Sequence, residues 1–159
     1  MKIIGIDPGT GIVGFGVISV GKTPSLVDAG VIRTHKDQAT AERLAEIYTE
    51  LSEIIAHNKP DAASVEKLFF AQNVTTAMSV SQARGVILLA LEQAGIPIFE
   101  YTPLQIKMAT VGYGRASKAQ IQEMVRVQLG LSEIPKPDDC ADALAAALTH
   151  SVAAKLHKS

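Results

Sequence analysis

The chain has 159 residues, of which 47% are hydrophobic and 19% are charged, and its formal net charge is −1. This composition excludes a disordered chain, and the length fits a single globular domain over residues 1–159. The one cysteine, Cys140, excludes an internal disulfide framework, and the longest apolar run, 86–91, is far short of a membrane span. Because the sequence also starts without a signal-like segment, we expect a soluble, cytoplasmic protein with no membrane contact.

The N-terminal part of the chain is predicted to form three strands. β-branched or alternating apolar runs cover residues 3–6, 12–20 and 26–34. The turns between these runs, 7–11 and 21–24, contain glycine and proline. Because such short connections join consecutive strands, we expect an antiparallel meander.

Helices and short strands alternate after the meander. Apolar residues recur at helical spacing over 40–57 and 74–94, which predicts two amphipathic or buried helices. Short apolar runs predict strands over 61–66 and 96–101. Each of these strands follows one of the two helices.

The C-terminal part is predicted to be helical. Segments beginning at Thr102 and Ser117 fit the capping box, in which a hydroxyl caps the helix and a glutamine three residues later bonds back. A last helix is predicted from Pro137 or Asp138 to Lys155. The whole order of elements predicts an α/β fold with one mixed five-stranded sheet flanked by helices.

Charge is distributed unevenly along the chain. Residues 1–66 contain six Lys or Arg and nine Asp or Glu, which gives −3, whereas residues 103–130 contain four Lys or Arg and one Glu, which gives +3. A basic segment combined with an acidic one suits a protein that holds phosphate groups beside a carboxylate-rich centre. A solvated helical surface would give the same counts, so charge alone favours the simpler explanation.

Two acidic side chains end predicted strands. Asp7 follows the first strand and precedes a glycine-rich turn, and Glu66 ends the fourth strand. Ligand sites in open sheets lie beyond strand ends, so both carboxylates are candidates for a functional site. For Asp7 the alternative is an ordinary turn residue, because aspartate is common in turns.

Two more acidic residues stand at the head of the last helix. Asp139 and Asp142 are three residues apart and therefore share one helical face. Negative charge at a helix N-terminus is favourable by roughly 0.3–1 kcal/mol, which would account for Asp138 and Asp139. It does not account for Asp142, which interrupts an Ala/Leu face, and a metal ion is the natural partner of a carboxylate in such surroundings.

The four carboxylates together predict an oxygen-rich Mg²⁺ or Mn²⁺ site. Two such ions, roughly 3.5–4 Å apart, can activate a water and stabilise the leaving oxygen of a phosphodiester. The histidines do not show the spacing of zinc ligands. They are His35, His57, His150 and His157.

Three motifs together resemble a known family. They are IGIDPGT at 4–10 with GFG at 14–16, VEKLFF at 65–70, and DCADALA at 139–145. In this order and spacing they resemble the RuvC family of Holliday junction resolvases, and the match extends from residue 1 to about residue 151. The combination is more specific than any one of the motifs.

The resemblance implies a ribonuclease-H-like fold of the retroviral-integrase superfamily. It also implies an Mg²⁺-dependent endodeoxyribonuclease with two ions per site, for which Mn²⁺ can substitute. The enzyme would be a homodimer that makes paired nicks in four-way junction DNA, leaves 5′-phosphate and 3′-hydroxyl ends in recombination and repair, and works with the RuvA–RuvB branch-migration complex. By position the catalytic, metal-binding acids are Asp7, Glu66, Asp139 and Asp142; Asp138 is the alternative to Asp139, which the three-residue spacing favours.

The resemblance further implies contacts to DNA. Lys107 and Lys118 fall at the family's DNA-contacting lysines, and the lysine nearest the metals, taken as catalytic Lys118, would stabilise the pentacoordinate phosphate. Phe69 matches the family position of an aromatic residue that could stack on an unpaired base at the junction centre. Its neighbour Phe70 is the alternative, and one of the two is expected in the core.

Helix 74–94 and the loop near residue 114 provide further candidates. Arg84 on the helix and Arg115 in the glycine-containing loop are predicted to contact phosphates. The helix carries more apolar surface than a single sheet-facing stripe needs. Either a buried central helix or a twofold interface between two copies would explain this surface.

Two other classes of protein share part of this pattern. ATP-binding modules of the actin, sugar-kinase and heat-shock type also have a strand, an Asp and a Gly-Thr turn, as in 6–11, but they need a second such domain and a second phosphate loop. Small RNA-processing nucleases of the same superfamily usually space their acids differently. A non-catalytic role would leave Asp142 unexplained, so the junction nuclease is the favoured hypothesis.

Overall fold

The computed structural model describes residues 1–67 and 74–156, which contain five strands and five helices. In chain order they are β1 (Lys2–Asp7), β2 (Ile12–Val20), β3 (Pro24–Arg33), α1 (Thr40–Asn58), β4 (Ala62–Glu66), α2 (Val74–Gln93), β5 (Ile98–Tyr101), α3 (Pro103–Val111), α4 (Lys118–Gln128) and α5 (Asp138–Leu156).

The strands form one mixed sheet in the order β3-β2-β1-β4-β5. β1, β2 and β3 pair antiparallel, which confirms the predicted meander. β4 pairs parallel to β1, and β5 pairs parallel to β4, each after a helical crossover. The predicted fold class is therefore confirmed, and β1 lies at the centre of the sheet.

The predicted element boundaries agree with the structure to within about two residues, and the clearest difference is at β5. The strand was predicted from residue 96 and begins at Ile98. The backbone N–H of Ile96 donates to Leu91 O at 3.1 Å and so closes the end of α2 instead of joining the sheet. Gly95, with φ of 70°, provides the left-handed turn that makes this bond possible.

Both predicted capping boxes are present. Thr102 Oγ1 accepts from the N–H of Gln105 at 3.1 Å, and the Gln105 side chain accepts from the N–H of Thr102 at 2.8 Å. Ser117 and Gln120 make the same pair of bonds at 3.2 and 2.8 Å. These caps fix where α3 and α4 begin.

The two faces of the sheet are covered by different helices. Ile4 and Ile6 of β1 belong to the apolar cluster formed with α1 and α2. Ile3 belongs to the cluster formed with α3, α4 and α5, because successive side chains of a strand alternate between faces. The same alternation directs Gly5 and Asp7 to the α5 face.

α2 lies beside α1 and presents part of its apolar surface outward. Among the described residues it is the one helix that could cross a membrane by length and composition, and 28% of its most apolar stretch is buried. Helices packed in the interior or at an interface of a protein have the same composition. The residues that α2 buries are Ala77, Ala83, Ile87, Ala90 and Leu91.

Candidate active site

Asp7 and Glu66 lie side by side at the ends of neighbouring parallel strands. Ile6 of β1 pairs with Val65 of β4, so the next residue of each strand, Asp7 and Glu66, stands at the same level. Both side chains project toward α5, on the face where the hydroxyl of Ser64 donates to Ala146 O at 2.6 Å. Asp7 donates a hydrogen bond to the Glu66 carboxylate.

Glycines on β1 and β2 allow α5 to approach the sheet closely. A Cβ added at Gly14, the β2 partner of Asp7, would lie 2.1 Å from the backbone oxygen of Asp139. A Cβ at Gly5 would lie 1.9 Å from the backbone oxygen of Ala143. The head of α5 therefore reaches the ends of β1 and β4, which brings the predicted helical acids to the strand-end acids.

The close approach produces strong repulsion among the carboxylates. Burial, followed by the negative charges of Glu66, Asp142 and Asp139, raises the pKa of Asp7 to about 8. Burial and Asp142 also raise the pKa of Glu66, although the hydrogen bond from Asp7 opposes this shift. Burial raises the pKa of Asp142 as well. The four predicted acids thus form one interacting group, with Asp7 as its most perturbed member.

Lys118, the first residue of α4, contributes a positive charge to this group. Its Nζ lies 3.2 Å from Asp142 Oδ2 and 3.8 Å from Asp138 Oδ2. Burial alone would lower the pKa of Lys118, but Asp142, Asp138 and Asp139 outweigh it and raise the pKa. Lys118 is therefore protonated beside the carboxylates, and Asp138 contacts it from outside the four-acid group.

Two adjoining clefts of about 250 and 260 Å³ open onto the carboxylates. They share Glu66 and Pro103. Glu66, Asp142, Lys107 and Lys118 line the first cleft together with Pro103, Ile106, Ile121 and Ala145. Asp7, Glu66, Lys67 and Arg84 line the second together with Pro8, Val80 and Pro103.

The donor set fits a hard divalent cation. All four acids supply oxygen, and their mutual repulsion would be relieved by a positive ion among them. As the side chains stand, the described residues include no three His, Cys, Asp or Glu side chains arranged to hold an ion. Asp7 is hydrogen-bonded to Glu66, and Asp142 forms an ion pair with Lys118. Ion binding would replace these two contacts.

The predicted phosphate contacts differ in their surroundings. Lys107 lies in the first cleft, where its charge acts on Glu66. Arg84 lines the second cleft but forms an ion pair with Glu100. Sequence reasoning missed this pair, because two residues 16 positions apart on a helix and the following strand meet only when the two elements pack. Arg115 is exposed in the loop between α3 and α4. Phe69 and Phe70 lie outside the described residues, so both remain predictions, as do the DNA-binding roles of the three cations.

The sheet is ribonuclease-H-like, with carboxylates at the ends of two neighbouring strands and at the head of the last helix. This combination defines the class of metal-dependent nucleases with this fold. The family model described as "Crossover junction endodeoxyribonuclease RuvC" matches residues 3–150. The chain belongs to the RuvC family.

Individual relatives support this membership. The crossover junction endodeoxyribonuclease RuvC of Fusobacterium nucleatum is 55% identical over 151 residues, which are 94% of this chain and 80% of that protein. The structure of Thermus thermophilus RuvC is 38% identical, with a TM-score of 0.92, and the match covers 99% of this chain and 97% of that one. A structure of T. thermophilus RuvC in complex with Holliday junction substrate gives a TM-score of 0.94 at 38% identity, covering 99% and 96%.

Proposed function

We propose that this protein is a metal-dependent endodeoxyribonuclease that resolves Holliday junctions by paired nicks, leaving 5′-phosphate and 3′-hydroxyl ends in recombination and repair. The observation that carries the proposal is the convergence of four acids at one end of the sheet, namely Asp7, Glu66, Asp139 and Asp142. There burial, followed by the charges of the other three acids, raises the pKa of Asp7 to about 8. Membership of the RuvC family, and a relative bound to Holliday junction substrate, support the choice of DNA junction as substrate.

Mg²⁺ is the cofactor we propose, with two ions per site and Mn²⁺ as a substitute. Asp7, Glu66, Asp139 and Asp142 would hold the ions through carboxylate oxygens. When bound, the ions would supply an activated water and stabilise the leaving 3′-oxygen. Asp7 must first give up the proton that it shares with Glu66, so ion binding and proton release are coupled.

Lys118 acts on the phosphate rather than on the ions. Its ammonium group is protonated and lies 3.2 Å from Asp142 Oδ2, at the rim of the first cleft. A phosphodiester in that cleft would meet a positive charge where negative charge accumulates during hydrolysis. Lys107, on the same cleft, would neutralise a flanking phosphate and set the register of the DNA backbone.

Three further DNA contacts are proposed, at Arg115, Arg84 and Phe69. Arg115 is exposed on the α3–α4 loop near Lys118, where a phosphate could reach it. Arg84 would have to exchange its ion pair with Glu100 for a phosphate. Phe69 is proposed to stack on an unpaired base because of its family position alone.

A homodimer is proposed because the outward surface of α2 is apolar. Val74, Met78 and Leu89 are at least half exposed. Phe99 of β5 and Leu89 line one shallow depression, which charged side chains border. Large apolar groups exposed together mark interaction surfaces. A second copy related by a twofold axis would cover this surface and provide two active sites for the two strands to be cut. Sedimentation equilibrium of Leu89→Asp tests this step, because a monomer is expected if the surface is the interface.

The remaining proposals concern context. Residues 1–159 would act as a single nuclease domain in the cytoplasm, without membrane contact, because the apolar surface of α2 is explained by a second copy. The RuvA–RuvB branch-migration complex is proposed as the partner on the strength of family membership.

The test is cleavage of a labelled four-way junction beside a linear duplex of the same sequence, with Mg²⁺, with Mn²⁺ and with EDTA. We expect symmetric, metal-dependent nicks in the junction alone. Cutting of linear DNA or of RNA would retain the carboxylate site and reject the junction as substrate. Absence of cutting together with tight nucleotide binding would reject the nuclease.

A further inference from the structure

We propose that α2 positions both strand-end carboxylates of the active site, through Ser79 on the side of Asp7 and Arg84 on the side of Glu66. Ser79 and Arg84 are positioning residues in this proposal, since each acts through another group. The inference rests on the proposed function, because it concerns how the metal-binding acids are held.

The turn that follows Asp7 is fixed by hydrogen bonds at successive residues. The hydroxyl of Thr10 is hydrogen-bonded to the hydroxyl of Ser79 in α2. The hydroxyl of Thr34 donates to Thr10 O at 2.6 Å, and the N–H of Thr34 donates to Gly11 O at 3.0 Å. Two backbone carbonyls and one hydroxyl of the turn are therefore held by groups outside it.

Arg43 of α1 extends this network. Its Nε donates to the hydroxyl of Thr34 at 2.9 Å, so that hydroxyl accepts one bond and donates another. The guanidinium also lies against the turn, 3.6 Å from where a Cβ on Gly11 would stand. A chain of hydrogen bonds thus runs from α1 through the end of β3 to the turn, and it ends on α2 at Ser79.

Arg84 holds the second strand end. Its Nε donates to the backbone oxygen of Glu66 at 3.4 Å, and its guanidinium pairs with Glu100 on the neighbouring strand β5. The Arg84 side chain is 18% exposed and that of Glu100 is 35% exposed, so the arginine end of the pair is the better shielded from water. One guanidinium consequently ties α2 to the ends of both β4 and β5.

Ser79 and Arg84, which make the two contacts, lie five residues apart on α2 and flank the same cleft. Val80, which follows Ser79, lines that cleft together with Asp7, Glu66 and Arg84. Outer groups that orient metal ligands typically change metal affinity or activity by about 10–100-fold when they are removed. A helix that touches both the turn after Asp7 and the end of β4 is therefore placed to set the spacing of the two carboxylates on which ion binding depends.

The experiment measures Mn²⁺ binding by calorimetry in DNA-free protein for wild type, Ser79→Ala and Arg84→Lys. Lysine keeps the positive charge of Arg84 but loses the planar fork that joins Glu66 O and Glu100. Junction affinity is measured in parallel in EDTA, and thermal melting checks folding. Ser52→Ala is the matched control for serine, because Ser52 bonds within α1, to Tyr48 O at 2.7 Å. Glu123→Gln, which breaks the surface pair with Arg126, is the control for a lost ion pair.

We expect Mn²⁺ affinity to fall about tenfold in Arg84→Lys and about threefold to tenfold in Ser79→Ala. Junction affinity in EDTA should stay within twofold of wild type in Ser79→Ala, whereas in Arg84→Lys it reports the separately proposed phosphate contact of Arg84. Both controls should bind Mn²⁺ normally. Folded variants with unchanged Mn²⁺ affinity would overturn the proposal. In Arg84→Lys, loss of junction affinity without loss of Mn²⁺ affinity would also overturn the positioning role and leave Arg84 as a DNA contact alone. Failure of wild type to cut junctions would reject the proposed function separately.

Discussion

On β1, neighbouring residues face opposite sides of the sheet and meet opposite kinds of packing. Ile4 and Ile6 are fully buried under α1 and α2 among large apolar side chains. Gly5 and Asp7 face α5, where the first has no side chain and the second is a carboxylate with a pKa raised to about 8. The first face gains burial energy from large side chains, at roughly 25 cal/mol per Å² of apolar surface. The second has no large apolar side chain at residues 5 and 7, which lets the backbone and the acids of α5 come close.

This contrast separates stability from activity along a single strand. Changes on the α1–α2 face should alter the free energy of unfolding and leave the cleavage rate of the folded protein unchanged. Changes on the α5 face should alter cleavage strongly, and some of them should even stabilise the fold. Sites that trade stability for function commonly behave in this way.

The largest effect is expected for Asp7→Asn. Cleavage of a four-way junction with saturating Mg²⁺ should fall at least about a thousandfold, because the most perturbed carboxylate of the group is lost. Junction affinity in EDTA should be equal to or tighter than that of wild type, since a negative charge near phosphate is removed. Single-turnover cleavage and a binding titration measure the two quantities. Parallel loss of binding and cleavage would contradict the placement of Asp7 beside the reacting phosphate.

Lys118→Ala is expected to reduce cleavage about a hundredfold, because a charge beside the reacting phosphate is lost. The slope of log affinity against log salt concentration should decrease by about 1, as for the loss of one phosphate contact. Cleavage rates and binding at several salt concentrations provide the measurement. An unchanged rate would remove Lys118 from the site, and Glu123→Gln on the same helix is expected to behave as wild type.

The contrast between the faces is tested most directly by Gly14→Ala against Ile4→Val. The added methyl at Gly14 would meet the Asp139 backbone at 2.1 Å, so the head of α5 must retreat. Cleavage by folded protein should fall by tens of fold, because a displacement of about 1 Å in a catalytic group can cost 10²-fold. Unfolding free energy should also decrease by roughly 1–3 kcal/mol.

Ile4→Val should decrease the free energy of unfolding by about 0.5–1.5 kcal/mol without changing the cleavage rate of the folded protein. Denaturant unfolding and single-turnover cleavage of both variants give the comparison. Equal losses of activity in the two variants would show that the faces are not functionally distinct.

The sequence predicted those features that depend on local chemistry. Strand alternation, helical spacing and two capping boxes located the elements, and Asp142 stood out because it interrupts an apolar helical face. Gly14 belongs to one of the sequence motifs, but the sequence did not show why glycine is needed there. The backbone atom for which Gly14 leaves room belongs to α5, 125 residues later. The pair between Arg84 and Glu100 was missed although only 16 residues separate them, because the sequence does not show which side chains of α2 and β5 meet once the two elements pack.

The smallest effect concerns stability and its dependence on pH in EDTA. The pKa of Asp7 is about 8 in the folded protein and 3.8 in the unfolded reference, so the folded state holds this proton more tightly. The stability that protonated Asp7 contributes is therefore complete below about pH 4 and is lost as the pH rises toward and through 8. The amide in the Asp7→Asn variant cannot ionise, so this variant should not lose that stability as the pH rises.

The variant should consequently be more stable than wild type by about 1–2 kcal/mol at pH 8.5, and the difference should shrink toward acid pH. Relaxation of the other carboxylates keeps the difference below what the full shift in pKa would give. Urea unfolding at several pH values, with Asp61→Asn as a control for an exposed aspartate, measures it. A difference that does not change with pH would mean that Asp7 is ionised in the folded protein, and the repulsion among the four acids would then be balanced mainly by Lys118.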